Sequence, residues 1–129
     1  MDEIKKILTE SKTIAVVGLS PREDRPSYRV ASYLKSKGYR IIPVNPNAQE
    51  ILGEKSYPDL RSIPGNIDVV DIFRKSEDVP PVVDEAIQAG AKTVWMQEDI
   101  VNEPAAQKAR SAGLLVVMDR CMLKEHRKL

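Results

Sequence analysis

The sequence predicts one α/β domain spanning residues 1–129, built on a five-stranded, mainly parallel sheet with helices on both faces. Short runs rich in β-branched residues recur along the chain, and each has the continuous apolar character of a buried parallel strand. Segments of helical period separate these runs, which is the alternation that right-handed βαβ crossovers produce. No low-complexity linker or internal repeat divides the chain. The predicted strands are residues 13–17, 39–44, 67–73, 93–96 and 114–118.

The helices are placed by the residues at their ends. Asp2 can cap a short helix that precedes the first strand. After that strand, Pro26 suits the first turn of a helix, and Gly38 suits its left-handed C-terminal end. Asn102 is a capping residue for the last crossover helix, and Gly113 ends that helix.

The two middle crossovers are less regular in sequence. Ser76 is predicted to cap the third crossover helix, which ends at Gly90, while two prolines at positions 80 and 81 leave its first residue open. Prolines and glycines interrupt the second crossover, so only a turn or two of helix is predicted around residues 59–63. Together with the strands, this order of elements is Rossmann-like.

Composition and charge narrow the classes of function. With 42% hydrophobic and 30% charged residues, and no apolar run near the roughly 18 residues that span a bilayer, we expect a soluble protein without a membrane partner. The formal net charge of +1 gives no basic field for nucleic-acid binding. The N-terminus lacks an export signal, and Cys121 and His126 are too few for a disulfide or a zinc site. A cytoplasmic location is therefore expected.

The loop after the first strand, Gly18-Leu19-Ser20-Pro21, is the first candidate binding element. In parallel sheets, ligands bind outside the carboxyl ends of the strands. A glycine there lets a ligand approach the backbone, and the N-terminus of the following helix, near Ser27, offers free N–H groups to a phosphate. Three arginines can add positive charge: Arg22, Arg25 and Arg29. The alternative is a tight turn with solvated arginines.

Two well-known phosphate-binding patterns are absent from this loop. A dinucleotide fingerprint requires G-x-G-x-x-G and an acidic residue at the end of the second strand, whereas this loop has one glycine and the strand runs into Asn45 and Pro46. The pattern G-x-x-x-x-G-K-[ST] does not occur either. NAD, FAD and simple nucleotide hydrolysis therefore rank lower than other nucleotide-type ligands.

The loops after the other strands add polar and aromatic candidates at the same edge. The Asn45 amide can donate and accept toward a ligand, although Asn45-Pro46 is also a common turn. An adenine ring can lie against Phe73 or the apolar start of the following helix, with Arg74 or Lys75 reaching a phosphate. Phe73 also suits a core position. Gln97 is predicted to point a polar group to the rim of the sheet.

Catalytic arrangements have little support in the sequence, so we expect no enzyme. His126 belongs to a charged C-terminal helix and is predicted to face solvent. Cys121 suits a small buried position better than a nucleophile, because no base is near it in sequence. Asp68 and Asp71 flank a strand, where Asp71 can accept backbone N–H groups at the ligand edge, and their use as an acid/base pair is unsupported.

These segments together resemble a known family. The chain resembles the small stand-alone CoA-binding proteins of bacteria and archaea, which are related to the CoA-binding domain of the succinyl-CoA synthetase alpha subunit. The likeness covers nearly all of the 129 residues. It is carried by Val16-Val17-Gly18-Leu19-Ser20-Pro21, Arg25-Pro26-Ser27-Tyr28-Arg29-Val30, Gly38-Tyr39, Ile42-Pro43-Val44-Asn45-Pro46, Ile51-Leu52-Gly53, Ile67-Asp68-Val69-Val70, Gly90-Ala91-Lys92-Thr93-Val94-Trp95-Met96-Gln97 and Asp119-Arg120-Cys121-Met122.

The resemblance implies a ligand and its contacts. It implies that coenzyme A lies across the carboxyl ends of the strands, with its phosphates near the loop that contains Leu19 and Pro21. The implied phosphate contacts are Gly18, Ser20, Arg25 and Ser27, and the implied further contacts are Asn45, Pro46, Phe73, Arg74 and Gln97.

The resemblance also limits the activity that we expect. Synthetase relatives use a phosphorylated histidine on a further domain and a nucleotide-grasping partner, and this chain ends before any such region. We therefore expect non-catalytic binding of CoA or acyl-CoA, with no protein partner assigned. The alternatives are an NAD(H)-binding redox sensor or small dehydrogenase, and a CoA-binding subunit of a multi-chain acyl-CoA enzyme.

Overall fold

A computed structural model describes residues 2–129, so Met1, the first residue of the predicted domain, lies outside the described residues. The chain folds into three layers, with helices on both faces of a five-stranded sheet. The strands are β1 (Thr13–Val17), β2 (Arg40–Val44), β3 (Glu50–Ile51), β4 (Glu54–Lys55), β5 (Val69–Ile72), β6 (Thr93–Met96) and β7 (Leu115–Val117). The α-helices are α1 (Glu3–Glu10), α2 (Pro26–Ser36), α3 (Val79–Gln88), α4 (Glu103–Ser111) and α5 (Met122–Arg127).

The main sheet has the order β2-β1-β5-β6-β7, and every neighbouring pair of strands is parallel. The chain leaves β1 toward β2 and then crosses back to β5 on the other side of β1. The switch point of the sheet therefore lies between β1 and β5, where Val17 pairs with Ile72. The loops after these two strands meet at this point.

Side chains alternate between the two faces of the sheet and form two separate hydrophobic cores. Val17, Val70 and Met96 contribute to the core under α3 and α4. Val16, Val69 and Trp95 contribute to the core under α1, α2 and α5. None of the helices within residues 2–129 is long and apolar enough to cross a membrane.

The five predicted strands are confirmed, and three of them are shorter at their ends than the apolar runs suggested. The second begins at Arg40, the third covers Val69–Ile72 and the fifth covers Leu115–Val117. Flanking apolar residues such as Ile67 and Leu114 are buried without belonging to a strand. The apolar runs therefore predicted which residues are buried, whereas hydrogen bonding to the neighbouring strands determines where each strand ends.

Three predicted helix ends are confirmed. The Asp2 carboxylate accepts from the Ile4 amide at 3.0 Å, and Asn102 accepts from the Ala105 amide at 3.0 Å. Gly38, just past the end of α2, has the positive φ of 98° that its predicted role requires.

The prediction that Ser76 caps the third crossover helix is wrong. Residues Ser76–Asp78 form a separate 3₁₀ turn, and α3 begins at Val79 with the two prolines in its first turn. Proline has no N–H to satisfy and its fixed φ suits this position, so no side-chain cap is needed. The Ser76 hydroxyl instead accepts from the Val101 amide at 3.0 Å and ties the loop before α4 to this turn.

The second crossover contains an element that the sequence did not indicate. Strands β3 and β4 form a small antiparallel hairpin, with Leu52 and Gly53 both at positive φ in its turn. Nζ of Lys35, in α2, lies 3.1 Å from Oε2 of Glu54, in β4, and this ion pair joins the hairpin to the helix. The predicted short helical segment is confirmed as a 3₁₀ turn over Leu60–Ser62, capped by Asp59.

Candidate functional site

Gly18 lies where the loops after β1 and β5 come closest together. Its amide donates to the Val44 carbonyl at 3.0 Å, and its φ is +87°. A Cβ at this position would overlap the carbonyl oxygen of Phe73 and would lie 2.6 Å from Nη1 of Arg74. Glycine is therefore required here for two reasons, the left-handed backbone and the close approach of the β5 loop.

Two serines fold the loop that follows. The Ser20 amide donates to Oγ of Ser27 at 3.0 Å, and Oγ of Ser20 accepts from the Arg22 amide at 3.1 Å. Ser27 is buried in the first turn of α2, so the loop is fastened to the start of that helix. No side chain caps α2 within the described part of the chain. Its first-turn N–H groups are thus left for a ligand.

A cleft of about 380 Å³ opens over this loop. Phe73, which is half-buried, forms one wall, and the start of α2 forms the other. Arg22 is paired with Asp24 at 3.4 Å, whereas Arg25 has no ion pair within residues 2–129. The lining residues are Gly18, Ser20, Arg22, Arg25, Pro26, Ser27 and Phe73. An unpaired cation beside free N–H groups is suited to a phosphate-bearing ligand.

A second cavity of about 240 Å³ lies beside the first, on the α3 side of the sheet. Its apolar lining includes Val17, Val44 and Val82, and Pro81 at the start of α3 contributes to it. Arg74 lines this cavity and also approaches Gly18, so its guanidinium lies between the two spaces. The carboxylates of Asp59, Asp78 and Glu85 complete the rim. The apolar surface that was predicted at the start of the third crossover helix is therefore present.

The structure brings five of the predicted site residues together at the cleft: Gly18, Ser20, Arg25, Ser27 and Phe73. The other residues of the first loop are placed differently. Leu19 is fully buried in the core under α2, so its side chain anchors the loop. Pro21 and Pro46 are exposed and do not line the cleft. Arg22 and Pro26 line it, although the sequence assigned them only charge and a helix start.

Asn45 uses both ends of its amide within the protein. Its Nδ2 donates to the Leu19 carbonyl at 3.0 Å, and its Oδ1 accepts from the Asn47 amide at 2.8 Å. The first bond joins the loops after β1 and β2, and the second folds the loop after β2. In this structure Asn45 shapes the loop beside the cleft, and contact with a ligand stays a prediction.

Gln97 does not point to the rim as predicted, because its side chain is only 4% exposed. Its Nε2 donates to Oδ1 of Asp71 at 2.6 Å. Asp71 is fully buried, and its Oδ2 has no hydrogen-bond partner within the described residues. The prediction that Asp71 accepts backbone N–H groups is therefore wrong. Burial raises the pKa of Asp71 to about 7, against a smaller lowering by the Gln97 hydrogen bond.

His126 and Cys121 lie outside the cleft. The prediction that His126 faces solvent is wrong, because its Nδ1 lies 2.8 Å from the Tyr33 hydroxyl and its ring packs edge-on against Tyr33 and Tyr39. Burial lowers the pKa of His126, and the positive charge of Lys37 lowers it further. Cys121 is half-buried against the core just before α5. The C-terminal helix is thus held to α2 by aromatic contacts.

The fold and the cleft define a class of protein: a small Rossmann-like α/β domain with an open cleft over a single-glycine loop at the switch point of the sheet. Residues 12–127 match the family model described as a CoA binding domain. The chain therefore belongs to the CoA-binding domain family.

Relatives of known sequence include both small proteins and parts of larger ones. The chain is 47% identical over 124 residues to the uncharacterized protein YneT of Bacillus subtilis, covering 96% of this chain and 92% of YneT. It is 39% identical over 83 residues to the ADP-forming acetate–CoA ligase II of Archaeoglobus fulgidus. That match covers 63% of this chain but only 12% of the ligase. The chain thus corresponds to one small region of the ligase.

Solved structures similar to this chain also include both a small protein and a part of a larger enzyme. A hypothetical protein from Pyrococcus horikoshii OT3 superposes with a TM-score of 0.95 at 46% identity, covering 98% of this chain and 89% of that one. The dinucleotide-forming acetyl-coenzyme A synthetase 1 of Ca. Korarchaeum cryptofilum superposes with a TM-score of 0.76 at 28% identity. This second likeness covers 88% of this chain and 27% of the synthetase. The same fold therefore occurs alone and within a larger enzyme.

Proposed function

We propose that the cleft at Gly18 binds coenzyme A or acyl-CoA and that this chain by itself does not turn the ligand over. The observation that carries the proposal is the packing of Gly18 against the Phe73 carbonyl, beside the uncapped start of α2 and the unpaired Arg25. This arrangement leaves backbone N–H groups and one cation facing the same space. Membership of the CoA-binding domain family supports CoA as the ligand.

The two cavities suggest how the parts of the ligand divide between them. The phosphates suit the first cleft, because Ser27, Arg25 and the start of α2 lie there. The adenine ring has two candidate positions: against Phe73, or in the second cavity against Pro81 and Val82. Arg74, which lies between the cavities, is placed to reach a phosphate in either arrangement.

Binding without turnover is proposed from where the reactive side chains lie. His126 is engaged with Tyr33 on the α5 side of the fold, and Asp71 is enclosed in the core. Neither lines the cleft. We further propose that the protein acts in the cytoplasm, where a reducing environment keeps Cys121 a free thiol.

Isothermal titration calorimetry with CoA, NAD and ATP tests the proposal. We expect CoA to bind and NAD not to compete for the site. Arg25→Ala should weaken CoA binding about tenfold, since a charge-assisted contact to phosphate is lost. Arg110→Ala is the matched control, because Arg110 is an exposed arginine on α4, across the sheet. Absence of CoA binding at millimolar ligand would refute the proposal.

NAD binding that displaces CoA would favour the alternative of an NAD(H)-binding redox sensor or small dehydrogenase. Gly18→Val should then abolish NAD binding as well, since both ligands would use the same close approach. Mass spectrometry of ligand retained through purification would identify the bound species without assuming it.

The ligase relatives support a second candidate, a CoA-binding subunit of a multi-chain acyl-CoA enzyme. The region shared with the acetate–CoA ligase of Archaeoglobus fulgidus is a small part of that enzyme. This candidate predicts a partner chain that co-purifies with the protein and confers acyl-CoA-forming activity on it. A protein that remains a lone, inactive monomer in cell extract would contradict it.

A further inference from the structure

Asp71 and Gln97 form a buried polar pair that the binding proposal does not use. Asp71 lies in β5 between Val16 of β1 and Trp95 of β6, and neither neighbour offers it a charge. Its Oδ1 accepts from Nε2 of Gln97 at 2.6 Å, and its Oδ2 is buried without a partner within residues 2–129. A fully enclosed carboxyl with one hydrogen bond favours its neutral, protonated form.

Asp71 precedes Phe73, which lines the cleft, by two residues. Successive side chains on a strand alternate in direction, so Asp71 and Phe73 project to the same face, about 7 Å apart along the strand. That face is the one covered by α2, and Phe73 packs on its core while also lining the cleft. Gly18 follows Val16, the register partner of Asp71, by two residues. A charge on Asp71 would therefore lie close under the space that receives a phosphate.

Within residues 2–129, no cation is paired with the Asp71 carboxyl. The ionisable groups that neighbouring elements bring to this edge include Arg25 and Arg29 at the start of α2, Arg74 after β5, Glu98 and Asp99 after β6, Asp119 and Arg120 after β7, and Cys121 and Lys124 at the start of α5. None of these contributes to the shift in the pKa of Asp71, which burial dominates and the Gln97 hydrogen bond opposes. The shift places the protonation of this carboxyl near neutral pH.

We propose that the Asp71–Gln97 pair couples ligand binding to protonation, so that the cleft takes up a proton at Asp71 when it binds a phosphate-bearing ligand. Asp71 is a positioning residue in this scheme, since it acts from beneath Phe73 and does not touch the ligand. Ionised Asp71 repels the incoming phosphates, and the bound phosphates in turn favour neutral Asp71, because such coupling is reciprocal. The inference rests on the proposed binding function and names its regulation.

The test uses dephospho-CoA as the ligand, because its two phosphates form a disubstituted diphosphate that stays fully ionised in this range. The 3′-phosphate of CoA, by contrast, is a monoester that titrates near about pH 6. Affinity is measured by calorimetry from pH 6 to pH 8.5 in two buffers of different ionisation enthalpy, which reports the protons taken up. Like charges about 10 Å apart at an effective dielectric of about 20 change an equilibrium about tenfold. We expect binding to weaken threefold to tenfold across this range, with proton uptake above pH 7.

Two variants separate coupling from structure. Asp71→Asn keeps the shape and the Gln97 bond but cannot ionise, so its affinity should stay constant from pH 6 to pH 8.5. Gln97→Leu removes the bond that favours ionised Asp71, so the weakening of affinity should begin at higher pH. His126→Gln is the control, because it removes an ionisable imidazole that lies outside the cleft and should leave the pH profile unchanged.

The outcomes distinguish the two proposals. A pH profile that persists in Asp71→Asn would overturn the coupling while leaving the binding function intact. If that variant fails to fold, the coupling is tested in the wild-type protein by carbon-13 NMR, which follows the titration of the Asp71 carboxyl. The coupling requires the midpoint of its titration to rise when dephospho-CoA is bound, and an unchanged midpoint would overturn it. A protein that binds neither CoA nor dephospho-CoA at any pH would refute the proposed function itself.

Discussion

Asp68 immediately precedes the central strand β5, Asp71 lies three residues later within it, and the surroundings of the two carboxyls differ sharply. At the amino end, the Asp68 carboxylate accepts from the amides of Lys12 at 2.8 Å and Thr13 at 3.0 Å. Burial alone would raise the pKa of Asp68, but these bonds and the charge of Lys92 hold it below its usual range. At the carboxyl end, Asp71 has a single partner, and burial raises its pKa.

The two carboxyls lie toward opposite edges of the sheet, and the carboxyl edge is the one that carries the proposed binding site. At the amino edge the charge is satisfied, and it joins the start of β1 to the segment that leads into β5. At the carboxyl edge, Gly18 packs against the β5 loop, and Oδ2 of Asp71 has no hydrogen-bond partner within residues 2–129. Unsatisfied polar groups and positive-φ backbone cost stability, and such features concentrate at functional sites. The same residue type therefore serves two purposes, set by its neighbours.

Of the substitutions that test this difference between the edges, Gly18→Ala should change stability and CoA binding the most. The added Cβ would overlap the Phe73 carbonyl and occupy a left-handed backbone, so we expect a loss of about 3 kcal/mol or more in unfolding free energy and loss of CoA binding. Urea unfolding and calorimetry measure the two effects.

Gly38→Ala is the matched control for that substitution. Gly38 has a similar positive φ, but a Cβ there would meet nothing within 4 Å. It should cost about 1 kcal/mol through the backbone alone and leave CoA binding unchanged. Equal losses at the two glycines would show that the close approach at Gly18 is unimportant.

Asp71→Asn should make the protein more stable at high pH. Because the folded pKa of about 7 exceeds the ordinary value of 3.8, the folded state holds a proton that the unfolded state has lost between these values. Wild-type stability therefore falls as pH rises from about 4 to about 7. We expect the variant to be more stable by about 3 kcal/mol at pH 8.5, after about 1 kcal/mol is subtracted for its unpartnered amide. The gain should vanish near about pH 5, and the variant should be slightly less stable than the wild type below that pH.

Unfolding by urea across this pH range measures the difference. A variant that is less stable than the wild type at pH 8.5 would show that ionised Asp71 is better accommodated than its surroundings indicate.

Asp68→Asn should make the protein less stable, which is the opposite of the effect expected for Asp71→Asn. Its folded pKa lies below the ordinary value, so its contribution is complete above pH 3.8 and is lost as pH falls through the folded value. The substitution weakens the acceptor for two amides and should cost about 2 kcal/mol at pH 7. The two proteins should converge in stability at low pH, which thermal unfolding between pH 2 and pH 7 would detect. A difference in stability that stays constant with pH would show that the loss in Asp68→Asn does not come from the carboxylate charge.

His126→Ala should have the smallest effect, because His126 lies in α5, away from both edges of the sheet. It removes the hydrogen bond to Tyr33 and the packing of α5 on α2, at a cost of about 1 kcal/mol. Because the folded pKa of His126 is lowered, the wild type is most stable above pH 6.5 and loses this contribution as pH falls. Hydrogen exchange in α5 should increase while CoA binding stays the same. Weakened CoA binding would place His126 closer to the site than the fold does.

Much of the architecture was predictable because it depends on local signals. The β-branched runs located all five main strands, and capping residues such as Asp2 and Asn102 marked helix starts. The loop at Gly18 was found from its glycine and from the resemblance of the surrounding segments. The hairpin at residues 50–55 was missed, since its turn begins with Leu52, a residue that rarely adopts positive φ.

Local sequence patterns were enough to predict the class of fold, the candidate binding loop and the family resemblance, because periodicity, helix-end residues and segment identity are properties of neighbouring residues. Which side chains meet depends on the tertiary structure. Gln97 finds Asp71 across 26 residues and His126 finds Tyr33 across 93, and these pairings depend on strand order and helix packing. Burial then set the protonation of Asp71, since the cost of a charge depends on the medium that encloses it.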